Sequence, residues 1–164
     1  MASQLALRHR YPTSPERMRE LVTDRDYLRA KLRAVGGPQA ELVSWQQNDD
    51  GITVVLHQAV PGEAMPPFLR AMLPANLTIR RTETWRGSSG SVEAVVDGAP
   101  GTITGVMRLE PDPHGCLIGA QLTAEVPLPL VGATVEKLVT DNIATLMESE
   151  YQFTLAWLRN PADS

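Results

Sequence analysis

Two side chains of opposite charge stand two residues apart in a segment that otherwise reads as a strand, Arg81 and Glu83 within Leu77 to Trp85. Alternate residues of a strand project from one face. Leu77, Ile79, Arg81, Glu83 and Trp85 therefore oppose Thr78, Arg80, Thr82 and Thr84, and the more apolar odd set is expected to face inward. An inward arginine offers a fixed planar fork of donors that suits a ligand carboxylate or phosphate. Glu83 or His9 beside it then has the chemistry to exchange a proton. The other reading is structural: Arg81 and Glu83 pair with each other, or with His9 and Glu150, as charges must when they are buried. The structural network is favoured, because twists and bulges also return such groups to solvent.

Other candidate chemistry is weaker. Asp24 and Asp26 open a helix, where carboxylates meet the positive end of the dipole, so capping explains them better than acid and base roles. Gly98 to Gly105 is rich in glycine but lacks the Lys-Ser/Thr ending of a phosphate loop, and reads as a hairpin. His114 and Cys116 form an H-x-C pair with no further ligands nearby, too few for zinc. Ser88, Ser89 and Ser91 lack the nucleophile-elbow pattern. No metal and no cofactor is expected.

The elements that must position these groups follow from the chain as a whole. At 164 residues, 43% hydrophobic and 21% charged, it has the size and composition of one soluble globular domain. No apolar run reaches the roughly 18 residues of a membrane span, and the first residues do not form a secretory h-region. Cys116 is the only cysteine, so no internal disulfide exists. A cytoplasmic location without stable membrane insertion is expected. The formal net charge is -4, yet residues 1 to 33 hold eight of the fifteen basic groups. Arginines spread along short helices read as a solvated face. Aromatic residues, 5% of the chain, do not interleave with basic ones in the strands, which disfavours nucleic acid.

Residues 3 to 11 alternate, with Leu5, Leu7, His9 and Tyr11 on one side, and predict a half-buried strand. Thr13, Ser14, Pro15 and Glu16 start a first helix; Thr23 and Asp24 start a second, which Gly36-Gly37-Pro38 ends. Six strands follow, at about 39 to 48, 51 to 59, 76 to 86, 90 to 97, 101 to 110 and 115 to 126, paired most simply as an antiparallel meander. Between the second and third of these lies Pro61 to Pro74, an apolar insertion with Met65, Phe68, Leu69, Met72 and Leu73, read as a lid or a loop plug. The closing segment, about Gly132 to Arg159, predicts a helix of roughly 40 Å. Val135, Leu138, Val139, Ile143, Leu146, Phe153 and Trp157 fall in one sector, and Asn142 and Glu150 project into it, where each needs a partner.

This order resembles the helix-grip fold of the START-like superfamily, also called SRPBCC, to which the birch pollen allergen belongs. The resemblance covers essentially the whole chain. Tyr11-Pro12-Thr13-Ser14-Pro15-Glu16, Leu73-Pro74, Trp85, and Val126 to Gly132 followed by Glu136 look like an uncharacterised actinobacterial branch of that superfamily. These motifs are caps, turns and core anchors, so the resemblance implies a fold more than an activity. It implies an α+β domain in which a curved seven-stranded antiparallel sheet wraps a long C-terminal helix, with two short helices after the first strand. It also implies a cavity between sheet and helix, usually for a hydrophobic small molecule.

Small inward residues, Gly105, Ala94, Ala120 and Ala124, favour an open cavity, and ligand pockets span about 300 to 1,000 Å³. The ligand-binding candidates are His9, Leu56, Phe68, Met72, Ile79, Arg81, Glu83, Trp85, Met107, Leu122, Asn142, Leu146 and Glu150. The expected partner is a lipid-like, aromatic or polyketide molecule that is carried or sensed; a homodimer is left open. The alternatives are a cyclase, dehydratase or hydrolase with His9, Arg81 and Glu83 as acid-base candidates, and an interaction module whose cavity is closed.

Overall fold

Strand β1 (Ser3–Tyr11) is followed by α1 (Pro15–Leu21), α2 (Arg25–Val35), β2 (Glu41–Asn48) and β3 (Gly51–Ala59). After α3 (Pro67–Met72) come β4 (Thr78–Arg86), β5 (Ser89–Asp97), β6 (Thr102–Asp112), β7 (Gly115–Glu125) and α4 (Gly132–Arg159). The computed structural model describes residues 2–37, 39–59, 67–72 and 78–159. Of the Pro61 to Pro74 insertion only α3 falls within them. Met65, Leu73, Leu77 and the side chains of Leu69 and Met72 lie outside the described residues.

Local chemistry sets the element boundaries. The Ser14 side chain accepts from the Arg17 N–H at 3.1 Å with Pro15 in the first turn, and Asp24 accepts from Tyr27 N–H at 2.9 Å. Gly36 N–H closes α2 onto the Leu32 carbonyl at 2.8 Å. The seven strands form one antiparallel sheet in the order β1-β7-β6-β5-β4-β3-β2, so β2 to β7 are a meander and β1 closes onto β7. A bulge between Leu42 and Ser44 shifts the β2 register. Inward alternation places Val54, Leu56, Trp85, Met107 and Leu109 in the core with Met18, Leu21, Tyr27 and Leu28 of the short helices.

Helix α4 packs on β1, β7 and α2. Its most buried residues are Gly132, Val135, Glu136, Thr140, Glu150 and Thr154, whereas Leu138, Val139, Ile143, Leu146, Phe153 and Trp157 are half-buried. The side turned to the sheet is thus rotated by roughly 60° from the apolar sector, at 100° per residue. Asn142 corrects the sequence expectation. It is exposed, and its Nδ2 donates to the Leu138 carbonyl of its own helix at 2.9 Å. The physical reason is that the helix turns its smaller and hydrogen-bonded residues inward. Glu136 shows the same preference: its carboxylate accepts the Val126 backbone N–H at 2.8 Å and fastens the turn ahead of the helix.

Candidate functional site

Arg81 stands in the middle of β4, opposite Leu56 on β3 and Ala94 on β5, and its side chain is largely but not fully buried. Glu83 lies on the same inward face, two residues on, as strand alternation requires. Glu150 comes down from α4 and Lys31 from α2. Arg81 grips Glu150 with both ends of its fork: Nη1 donates to Oε2 at 2.9 Å and Nη2 to Oε1 at 3.2 Å. Nη2 also donates to Glu83 Oε1 at 3.2 Å, and Lys31 Nζ lies 3.3 Å from Glu150 Oε1. Two cations and two carboxylates therefore balance inside the domain, the arrangement that offsets the desolvation of buried charge.

The electrostatics follow from this geometry. Burial alone raises the Glu150 pKa, but Arg81 and Lys31 outweigh it and hold the carboxyl at about 2. Burial alone lowers the Lys31 pKa, and Tyr27 and Glu150 beside it reverse that, leaving it above its ordinary value. Arg81 is likewise raised, because Glu150 and Glu83 overcome its burial. Glu150, Lys31 and Arg81 therefore all carry their charges at neutral pH.

A second set of groups ties α4 to β1 and α2. His9 stacks on Tyr151 with ring centroids 4.4 Å apart, and its Nε2 lies 3.7 Å from Glu148. Burial lowers the His9 pKa below 6.5, and Glu148 only partly offsets it. Tyr151 donates to the Arg10 carbonyl at 2.9 Å. Tyr27 donates to Thr154 Oγ1 at 2.6 Å, and Thr154 in turn donates to the Glu150 carbonyl at 2.8 Å. Burial pushes the pKa of Tyr11, which meets Tyr151 edge-on, well above its ordinary value.

These two sets line a partly open cavity of about 70 Å³ between the sheet, α2 and α4. Its lining brings together six of the sequence-predicted site residues, His9, Arg81, Glu83, Trp85, Met107 and Glu150. Of the network in which Arg81 and Glu83 pair with each other or with His9 and Glu150, the Arg81–Glu83 and Arg81–Glu150 pairs form, whereas His9, on β1, meets Glu148 instead. Leu56 is fully buried in the core and does not line the cavity, and Ile79 and Leu122 pack in a separate cluster with Ala94, Ile103 and Ala124. Phe68 is exposed on α3, Asn142 is exposed, Leu146 is half-buried off the lining, and the Met72 side chain lies outside the described residues.

The cavity is far smaller than the wide pocket that small inward residues suggested. Those residues let side chains descend onto the sheet: Leu122 lies over Gly105, and Val139, Ile143 and Met147 close over Ala94 and Ala124. Sequence reasoning missed Lys31, Tyr11, Tyr27, Met147, Tyr151 and Thr154 as lining. Lys31 carried a faint signal, since it follows Tyr27 and Leu28 by one helical turn and so shares their buried face.

Residues 6–158 match the sequence profile of a family described as "Protein of unknown function (DUF2505)". The chain belongs to the DUF2505 family. Uncharacterised proteins of Mycobacterium tuberculosis and Mycobacterium bovis are 28% identical to this DUF2505 chain over 162 residues, covering 92% of it and 93% of their own length. Among solved structures, a START superfamily protein from Mycobacterium smegmatis superposes with a TM-score of 0.57 at 14% identity, covering 92% of this chain and 94% of that one. Norcoclaurine synthase from Thalictrum flavum gives 0.61 at 14% identity, over 94% and 87%. The di-domain ARO/CYC StfQ from the steffimycin biosynthetic pathway gives 0.65 at 10% identity, over all of this chain and 53% of that one. This DUF2505 domain has the START-like helix-grip fold. No helix among its described residues is long and apolar enough to cross a membrane.

Proposed function

We propose that this DUF2505 domain binds a small hydrophobic molecule between the curved sheet and α4, as a carrier or sensor and without catalysis. The observation that carries this reading is the cavity itself, walled by Leu7, Trp85, Met107, Ile118, Ala120 and Met147. Its charged floor already sets the Arg81 fork against two carboxylates, Glu150 and Glu83, so we read Arg81 as a structural tie and not an anion receptor. At about 70 Å³ the cavity admits a few water-sized groups. A larger ligand enters as Met107 and Met147, unbranched and adaptable, swing aside. Each 100 Å² of apolar surface then removed from water contributes about 2.5 kcal/mol.

Saturable binding of the neutral dye Nile red, together with a co-purifying small molecule in native mass spectrometry, is the expected result. No adduct and no saturable fluorescence would remove the reading. His9 supports a second reading, catalysis, because its imidazole lines the cavity and is held neutral at pH 7. The two solved structures named as norcoclaurine synthase and ARO/CYC lend it analogy of fold alone. A His9→Gln variant that binds Nile red like the parent, with no turnover by either across a polyketide panel, decides for the carrier.

A further inference from the structure

The ion network leaves polar capacity unused on its cavity side. Lys31 has three ammonium donors. Its contacts are Glu150 at 3.3 Å and the Tyr27 ring at 5.1 Å, although its side chain is only 10% exposed. Glu83, 6% exposed, uses Oε1 to accept from Arg81, while its Oε2 accepts from no donor among the described residues. Both side chains line the same cavity of about 70 Å³. Neither group is sealed away from the cavity: the one fully buried side-chain polar atom without a partner among the described residues is Gln58 Oε1. A ligand that displaces water from Lys31 and Glu83 must replace the hydrogen bonds they make to it, so one that satisfies both gains more than apolar burial.

The charge count restricts what that ligand can be. Lys31 and Arg81 are balanced by Glu83 and Glu150, and a ligand carboxylate would place a third anion beside two existing ones in a desolvated space. A carbonyl oxygen accepts from Lys31 but leaves Glu83 Oε2 unmet. A hydroxyl accepts and donates at once. We propose that the cavity selects a neutral hydrophobic alcohol or phenol, whose hydroxyl accepts from Lys31 and donates to Oε2 of Glu83, and rejects carboxylates on the same skeleton. The selectivity rests on the reading that the cavity is a ligand site.

The test is isothermal titration calorimetry of the full chain at pH 7 with three matched probes: 2-naphthol, 2-methylnaphthalene and 2-naphthoate. A site built around a hydroxyl favours 2-naphthol over each of the others by about tenfold or more. Glu83→Gln removes one negative charge, and the preference over 2-naphthoate then narrows to about threefold or less. Lys31→Met removes the preference over 2-methylnaphthalene; if that variant does not fold, the parent series and Glu83→Gln decide. Equal binding of 2-naphthol and either analogue by the parent, or an unchanged ratio in Glu83→Gln, overturns the proposal. Nile red binding without binding of any probe overturns the selectivity alone, whereas loss of all four removes the ligand site as well.

Discussion

Glu150→Gln is the sharpest perturbation of this domain, because one carboxylate holds both Arg81 and Lys31. The side chain keeps its size but loses its charge, and its new amide N–H₂ faces donors that already point at it. Arg81 and Lys31 are then two buried cations against Glu83 alone. The magnitude can be worked in two ways. The carboxyl is held at about 2, against 4.5 for an ordinary glutamate. At about 1.4 kcal/mol per pH unit, that gap corresponds to about 3 kcal/mol of stability. Breaking a buried ion pair from one side costs about 3–5 kcal/mol in general, so the two routes agree.

The sign of the pH dependence follows. A carboxyl whose folded pKa is depressed contributes fully above its unfolded pKa, and the contribution is lost as pH falls from about 4.5 towards 2. Urea unfolding monitored by circular dichroism, repeated between pH 7 and pH 3, measures it. The variant is expected to be about 3 kcal/mol less stable at pH 7, with the gap to the parent shrinking below pH 4.5. A loss under about 1 kcal/mol at pH 7, or a gap that stays constant down to pH 3, refutes the assignment of Glu150 as the hub.

Two further outcomes are expected. Gly105→Ala drives a Cβ into Leu122 Cδ2 and to 2.5 Å from the Gln121 carbonyl, and should destabilise by about 1–3 kcal/mol in urea unfolding; an unchanged midpoint counts against the close packing of β6 on β7. An NMR titration should place the His9 midpoint below 6.5 and lower still in Glu148→Gln, since burial depresses it and Glu148 opposes that. Its contribution to stability is accordingly present above pH 6.5 and lost as pH falls below it; a midpoint that rises in Glu148→Gln refutes the contact.

Much of the architecture was legible because short-range physics writes it. The caps at Ser14 and Asp24, the Gly36 stop and the turns between strands each depend on neighbours within a few residues. The inward face of β4 was legible for the same reason, since alternation places Arg81, Glu83 and Trp85 together whatever the rest of the chain does. Helix α4 was legible in extent but not in rotation. Its apolar sector pointed to Asn142 and Glu150 as inward; Glu150 is buried, but contact with β1, β7 and α2 turned Glu136, Thr140 and Thr154 to the interior and left Asn142 exposed.

The amino-acid sequence by itself determined the order of elements, the START-like layout that follows from it, and the presence of charges on an otherwise apolar strand face. Only the tertiary structure decided what those charges do. Arg81 and Glu150 are 69 residues apart, and Tyr27 and Thr154 are 127 apart, so no local pattern links them. Lys31 completes the charge balance only because α2 packs beside α4. The cavity volume is decided in the same way: small residues on the sheet set how closely the helix side chains descend, and the space that remains is a difference between large packed volumes.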